Sequence, residues 1–214
     1  MWELHPVLCT NVTVRGVKIN SHGPNNDGCD PESCTDVLIE NCEFNTGDDC
    51  IAIKSGRNAD GRRLNVPTQN IIVRGCLMKD GHGGVTVGSE ISGGVRNLFA
   101  ENCRMDSPNL DHALRVKNNA MRGGLLENLH FRNIQVGQVA HAVITIDFNY
   151  EEGAKGSFIP VVRNYTVDRL VSTRSKYALD VQGLTGAPIY DLKNIKNASL
   201  SNVKINGKDL EQLP

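Results

Sequence analysis

The sequence predicts an all-β fold, a right-handed single-stranded parallel β-helix, from three observations. A short phrase of alternating apolar residues recurs along the 214-residue chain, successive copies lie 25 to 34 residues apart, and no helical pattern separates them. Alternation with a period of two is typical of strands. Strands joined only by turns rich in Gly, Asn and Asp favour a parallel solenoid. We therefore expect residues 1–214 to form a single β-helix domain.

The repeated phrase has five clear copies. In each, alternating apolar residues precede an Asn or a Gly, and a small or aliphatic central residue follows. The copies are VTVRGVKI (12–19), VLIENCEF (37–44), IIVRGCLM (71–78), LFAENCRM (98–105) and LHFRNIQV (129–136). Stacking them places Cys42, Cys76 and Cys103 in an inward-facing ladder, and Asn41 and Asn102 at a corner that suits left-handed backbone.

An antiparallel β-sandwich is the alternative fold, because it also combines short strands with glycine-rich turns. Such strands are commonly joined by tight two-residue hairpins, and the chain lacks hairpin signals of that kind between the copies. The close similarity of the copies to one another also favours the solenoid.

Composition narrows the function classes. The 23 Lys and Arg residues nearly balance the 24 Asp and Glu residues, so no general basic field attracts nucleic acid or a membrane surface. No apolar run approaches the roughly 18 residues of a membrane span. The seven cysteines fit no zinc spacing, and we interpret them as buried small side chains, with a Cys29–Cys34 disulfide left open.

The candidate site residues lie between the strand phrases. Asp27 to Asp49 is 22 residues, Asp49 to His82 is 33, and His82 to Arg115 is 33, each close to one repeat. In a solenoid they would gather on one face with Asp48, where mutual repulsion should raise at least one carboxyl pKa and leave that group protonated near neutral pH. Glycoside hydrolysis needs such a pairing of acid and base.

Two cations and an aromatic residue extend this face. Arg115 and Lys117 are two positions apart on a strand, so both point to the same side and could grip one carboxylated sugar. Tyr150, in ITIDFNYEE, is a candidate for stacking on a sugar ring, and the alternative is an ordinary position at the rim.

The ordered segments NND, GDDCIAIKSG, GHGG and RVK resemble the four signature segments of glycoside hydrolase family 28, the polygalacturonases. HGGVTVGSEISGGVRN resembles the bacterial, often exo-acting branch. The resemblance implies inverting hydrolysis of α-1,4 bonds between galacturonates in pectin, with no metal or organic cofactor. It implies that Asp48 is the general acid, that Asp27 and Asp49 activate water, that His82 supports the acid, and that Arg115 and Lys117 bind the uronate. The chain departs from the common form in reading Asn-Asn-Asp instead of Asn-Thr-Asp.

The resemblance also concerns the beginning of the chain. Relatives carry several more rungs and a cap before the segment that matches Trp2, so we expect this chain to be the C-terminal catalytic part of a larger protein. An uncapped solenoid end exposes apolar side chains and strand edges, which favours end-to-end self-association. Full-length relatives are often secreted or periplasmic, and the chain itself gives no localisation signal.

Three rival functions stay open. The first is a hydrolase of rhamnogalacturonan or another decorated pectin, although retention of both Arg115 and Lys117 favours plain galacturonate. The second is a truncated fragment that binds carbohydrate or has a structural role without cleaving it. The third is a pectate lyase, which shares the β-helix but eliminates with the help of calcium. Endo and exo action are equally open.

Overall fold

The computed structural model describes residues 2–184 and 195–211, and these form a parallel β-helix. This confirms the predicted fold class. The strands are β1 (Thr10–Arg15), β2 (Lys18–Ser21), β3 (Thr35–Glu40), β4 (Glu43–Thr46), β5 (Ile51–Ile53), β6 (Thr68–Arg74), β7 (Leu77–Met78), β8 (Gly81–Val87), β9 (Val95–Glu101), β10 (Arg104–Met105), β11 (Leu110–Lys117), β12 (Leu125–Gln138), β13 (Ala142–Asp147), β14 (Val161–Arg174), β15 (Tyr177–Gln182), β16 (Ile195–Lys196), β17 (Ser199–Ile205) and β18 (Lys208–Leu210).

Two sheets form the coil. The larger has 13 strands, in which β1, β3, β6, β9 and β12 stack in order and β10, β7, β4 and β2 follow beside them. The smaller stacks β5, β8, β11, β13 and β15. Among the described strands only β17 and β18 pair antiparallel. The register aligns the repeated phrases as predicted, since Val37 pairs with Ile71 and Ile71 with Leu98.

The interior is a column of aligned apolar side chains. Cys42, Cys76 and Cys103 are buried one above another, as the inward ladder requires, whereas Val17 in the first copy is only partly covered. All seven cysteines are free thiols, so Cys29 and Cys34 form no disulfide, and Cys9 alone of the seven is exposed.

Two corners of the coil use left-handed backbone. Asn41 and Asn102 have φ of 54° and 56°, as predicted for the first corner. The second corner was not predicted, and it lies one residue before each phrase. There the side chains form a ladder in which each amide Nδ2 donates to the oxygen one rung below, over 2.8 to 3.2 Å. This asparagine ladder consists of Asp36, Asn70, Asn97, Asn128, Asn164 and Asn197.

One helix interrupts the strands, and the prediction that none would occur was wrong. Helix α1 (Asn58–Leu64) follows β5 and ends at Asn65, whose φ is 51°. It packs closely against the coil, because a Cβ on Gly61 would lie 2.5 Å from the backbone of Gly56. Its seven residues are too few to show the apolar periodicity of a longer helix. Within the described ranges no helix is long and apolar enough to cross a bilayer.

Candidate active site

The smaller sheet carries the candidate site on its outer face. Val85, Leu114 and Val116 point into the core, and the residues that alternate with them point outward. Arg115 therefore lies beside Thr86 of the neighbouring rung, to which it is paired in register. The parallel stacking brings residues that are one repeat apart in sequence into lateral contact.

Three carboxylates converge at this face. One oxygen each of Asp27, Asp48 and Asp49 lies within 4.8 Å of the others. Asp27 and Asp49 are buried, whereas Asp48 is partly exposed. Oδ1 of Asp48 accepts the backbone N–H of Asp49 at 2.8 Å and lies 3.0 Å from Nδ1 of the exposed His82. The structure thus brings together the four residues predicted to be catalytic.

Asp49 is held by cations. Lys117 Nζ lies 2.6 Å from its Oδ2 and Arg115 Nη1 lies 3.5 Å from its Oδ1. The Thr86 hydroxyl donates to the same Oδ1 at 2.9 Å. Burial alone would raise the pKa of Asp49, but the charges of Lys117 and Arg115 outweigh it and lower the pKa to about 2. Asp49 is therefore ionised throughout the neutral and weakly acidic pH range.

The other two carboxylates differ from Asp49 and from each other. Burial, reinforced by the charge of Asp49, raises the pKa of Asp27 to about 6. Burial also acts to raise the pKa of Asp48, but the hydrogen bond with His82 turns the net shift downward. The same hydrogen bond raises the pKa of His82. Without substrate, Asp27 therefore holds its proton up to pH about 6 and loses it above that pH, while His82 and Asp48 form an ion pair.

Tyr150 completes the cluster. Its ring centroid lies 5.3 Å from Lys117 Nζ and 5.6 Å from Arg115 Cζ. Its backbone N–H donates to the carbonyl of Asn118 at 3.2 Å, and its own carbonyl accepts from Asn119 Nδ2 at 2.9 Å. The three residues predicted to bind substrate thus share one wall of the site.

A glycine makes room for the acids. A Cβ on Gly83 would lie 2.2 Å from Thr86 Oγ1 and 2.8 Å from Asp49 Oδ1. Any larger residue would displace the carboxylate or its hydroxyl donor. The second glycine of GHGG therefore serves the packing of Asp49.

Sequence reasoning missed a group of charges behind Asp27. Lys54 Nζ lies 3.0 Å from Glu90 Oε2, 3.4 Å from Asp30 Oδ2 and 3.7 Å from Asp27 Oδ2. A signal was present, because Lys54 is a lone cation directly after the fully buried strand β5. Lysine in such a position requires carboxylate partners.

His112 lies at the edge of this face. Its Nδ1 is 2.7 Å from Thr145 Oγ1. Burial and then the charge of Arg115 lower its pKa to about 3, so the ring is neutral. It is therefore a neutral neighbour of Arg115.

The carboxylate triad has the donor geometry of a cation site, but its surroundings favour proton chemistry. Lys117 and Arg115 contact the two oxygens of Asp49 and Lys54 contacts Asp27, so a metal ion would have to displace cationic side chains that already hold these carboxylates. What the arrangement supplies is one protonatable carboxyl, one firmly ionised carboxylate and a partly exposed carboxyl paired to a histidine. These are the parts of general acid and base catalysis.

Comparisons with known proteins identify the family of the chain. A family model described as glycosyl hydrolases family 28 matches residues 4–212. A probable polygalacturonase of Vitis vinifera is 28% identical over 212 residues, covering 96% of this chain and 41% of that protein. A hyperthermoactive exopolygalacturonase from Thermotoga maritima, known from its crystal structure, matches with a TM-score of 0.87 and 40% identity over 100% of this chain and 53% of that one.

A further solved structure shows the fold alone. The family 28 exopolygalacturonase of Yersinia enterocolitica matches with a TM-score of 0.79 at 21% identity, covering 95% of this chain and 36% of that one. This chain thus spans about half or less of the length of these relatives. Because the family model matches nearly every residue, the chain belongs to glycoside hydrolase family 28.

Proposed function

We propose that this chain is the catalytic part of a polygalacturonase, which hydrolyses α-1,4 bonds between galacturonates of pectin with inversion at the anomeric carbon. The observation that carries the proposal is the contact between the carboxylate triad and the Arg115–Lys117 pair. It places acid and base groups beside cations that suit a uronate. The names of the relatives agree with this substrate.

Asp48 is the proposed general acid. It is the partly exposed member of the triad, so a glycosidic oxygen can reach it. His82 shares a proton with it across 3.0 Å. A uronate bound at Arg115 and Lys117 adds negative charge nearby, which raises the pKa of Asp48 and moves the shared proton towards it. Substrate binding thereby protonates Asp48, which can then donate this proton as the general acid.

Asp27 and Asp49 are the proposed activators of water. Asp49 is always ionised, and Asp27 becomes so above pH about 6. Their oxygens lie within 4.8 Å of Asp48, below the roughly 6.5–9.5 Å between carboxyl groups that is usual in inverting glycosidases. Inversion here requires the water to lie beside the triad rather than directly between two carboxyls. The anomer of the first product tests this point.

Arg115 offers the substrate a free donor. Its Nε is buried and has no hydrogen-bond partner among the described residues. Leaving a buried donor unpaired costs about 1–3 kcal/mol, and a uronate carboxylate would satisfy it. The Tyr150 ring lies over both cations and could cover one face of the sugar.

The test compares the unmodified chain with Asp48→Asn on polygalacturonate, with release of reducing sugar as the readout. The unmodified chain should release sugar, with the β anomer first in NMR, and Asp48→Asn should lose at least about two orders of magnitude in rate. Asp60→Asn, which removes an exposed carboxylate on α1, is the matched control and should keep full activity.

The products separate the rival functions. Galacturonate monomers or dimers indicate exo action, which the Thermotoga maritima relative favours, and longer oligomers indicate endo action. A chelator-sensitive rise in absorbance from unsaturated sugar would show a lyase instead. Full activity in Asp48→Asn would overturn the assignment of the acid, and an inert unmodified chain would support the non-catalytic fragment.

A further inference from the structure

Lys54 is enclosed behind the catalytic triad. Its side chain is 3% exposed, and its ammonium group contacts Glu90, Asp30 and Asp27 at 3.0, 3.4 and 3.7 Å. The ring of Trp2 covers it, with a centroid 4.2 Å from Nζ. Solvent therefore screens little of the charge of Lys54, and this charge interacts strongly with the three carboxylates.

The charges around the triad do not balance. Five carboxylates and four cations lie in contact, so full ionisation would leave an excess of one negative charge in a largely buried site. Unpaired buried charge is costly, and such a cluster retains protons instead. The carboxylates are Asp27, Asp30, Asp48, Asp49 and Glu90, and the cations are Lys54, Arg115, Lys117 and the protonated His82.

Asp30 is the place where a proton is best retained. Its side chain is fully buried, and burial raises its pKa well above the usual range, more strongly than Lys54 lowers it. Neither oxygen of the Asp30 carboxyl has a hydrogen-bond partner among the described residues, so the ammonium of Lys54 is the contact that offsets the cost of ionising it. A fully buried carboxyl in such surroundings retains its proton.

Asp27 depends on Lys54 for its charge. The charged groups that act most strongly on it are Asp49, Lys54, Asp48 and Asp30, and Lys54, 3.7 Å away, is the cation among these four. Burial, Asp49 and Asp48 all raise the pKa of Asp27, and Lys54 opposes them. Without that cation, Asp27 would hold its proton at neutral pH and could not accept one from water.

We propose that Lys54 is a positioning residue that keeps Asp27 ionised for catalysis and leaves the retained proton on Asp30. The proposal rests on the proposed function, in which Asp27 activates water. Glu90 moderates the effect, because it contacts the ammonium at 3.0 Å and competes with Asp27 for its charge.

The test measures the titration of Asp27 directly. Carbon-13 NMR of the chain labelled at its aspartate carboxyl carbons, with Asp27→Asn to assign the signal, gives the midpoint in each variant. Lys54→Met should raise the midpoint by about one pH unit or more, since an opposite charge within about 4–6 Å shifts a carboxyl by one to three units. Lys54→Arg keeps the charge and should stay within a few tenths of the unmodified chain.

Glu90→Gln is a second variant that acts in the opposite direction. It removes the carboxylate that competes with Asp27 for the ammonium group of Lys54, so the titration midpoint of Asp27 should fall. If Lys54→Met does not fold, as judged by circular dichroism, this variant decides the matter. A folded Lys54→Met with an unmoved midpoint, or a Glu90→Gln midpoint that stays or rises, overturns the proposal.

Activity adds a readout that separates the two proposals. In Lys54→Met the acidic limb of kcat/KM should move to higher pH by the same shift as the NMR midpoint, with the rate recovering on the alkaline side. Hydrolysis with an unmoved acidic limb contradicts the role of Lys54. If the unmodified chain releases no sugar, the proposed function fails, while the NMR midpoints still decide what Lys54 does to Asp27.

Discussion

At the scale of single residues, two neighbouring aspartates have opposite effects on stability. The pKa of Asp49 is lowered to about 2 from 3.8, so its stabilising effect is present above pH 4 and is lost as the pH falls towards 2. The pKa of Asp27 is raised from 3.8 to about 6, so the unfolded chain releases that proton first and stability falls as the pH rises from about 4 to 6. At neutral pH the ionised Asp27 is therefore a cost to folding.

This predicts a stabilised but inactive variant. Asp27→Asn should raise the free energy of unfolding at pH 7 by about 3 kcal/mol, since each pKa unit is worth about 1.4 kcal/mol, and should abolish sugar release. Asp49→Asn is the comparison, because it leaves Lys117 and Arg115 without their carboxylate and should destabilise by about 3–5 kcal/mol. Urea unfolding at pH 4 and pH 7 measures both, and the gain from Asp27→Asn should vanish at pH 4. Equal effects of the two variants would contradict this account.

The sequence predicted contacts between residues that lie one repeat apart. It did not predict contacts between residues that lie at irregular intervals. Asp27, Asp49, His82 and Arg115 follow one another at about one repeat, so their common face could be predicted. The partners of Lys54 lie 24 to 36 residues away in turns of different length, so no fixed interval marks them. The direction of each pKa shift depends on contacts of this irregular kind, so it could not be predicted either.

At the scale of structural elements, the asparagine ladder explains how a coil of short strands keeps its register. Left-handed backbone costs most residues about 1–2 kcal/mol, and asparagine tolerates it because its side chain bonds locally. Each ladder amide also bonds to its neighbour in the next rung. One residue type therefore turns the chain and ties the rungs together.

Asn128, in the middle of the ladder, separates these two contributions. Its φ is 59°, it donates to Asn97 at 2.8 Å and it accepts from Asn164 at 2.8 Å. Asn128→Gly loses the hydrogen bonds but tolerates the backbone, and should lower the free energy of unfolding by about 1–2 kcal/mol. Asn128→Ala adds left-handed strain and should cost at least 1 kcal/mol more. Equal urea midpoints for the two variants would show that backbone strain is not involved.

Both corners were visible in the sequence, yet only one was predicted. The Asn or Gly inside each phrase marked the first corner. The residue just before each phrase, which forms the second corner, is equally regular, with Asn70, Asn97 and Asn128 at the same position. Helix α1 differs from both corners, because it occurs only once among the described residues and no repeat in the sequence reveals it.

At the scale of the whole molecule, the first rung differs from the rest. Val12 and Val14 of β1 are partly exposed, while Val37 and Ile39, which pair with them, are buried. β1 also pairs on one side only. An apolar end with a free strand edge is the surface expected to drive end-to-end association of this chain.

The association should depend on concentration and on β1. Light scattering after size-exclusion chromatography should show dimers or larger species at high concentration. Val14→Lys places a charge at the open end and should restore monomers. Val171→Lys, which adds the same charge on an exposed side of β14, is the control and should not. A chain that is monomeric at every concentration would contradict the expectation.

The asparagine ladder also bears on the choice of host for producing the protein. Asn164 and Asn197 each begin an Asn-x-Thr or Asn-x-Ser triplet, which the eukaryotic secretory pathway glycosylates. In the folded chain, the amide nitrogens that would carry the glycans donate to the rung below at 2.8 and 3.2 Å. A sugar attached during synthesis would occupy that gap and hold neighbouring rungs apart. Bacterial expression avoids this conflict between modification and folding.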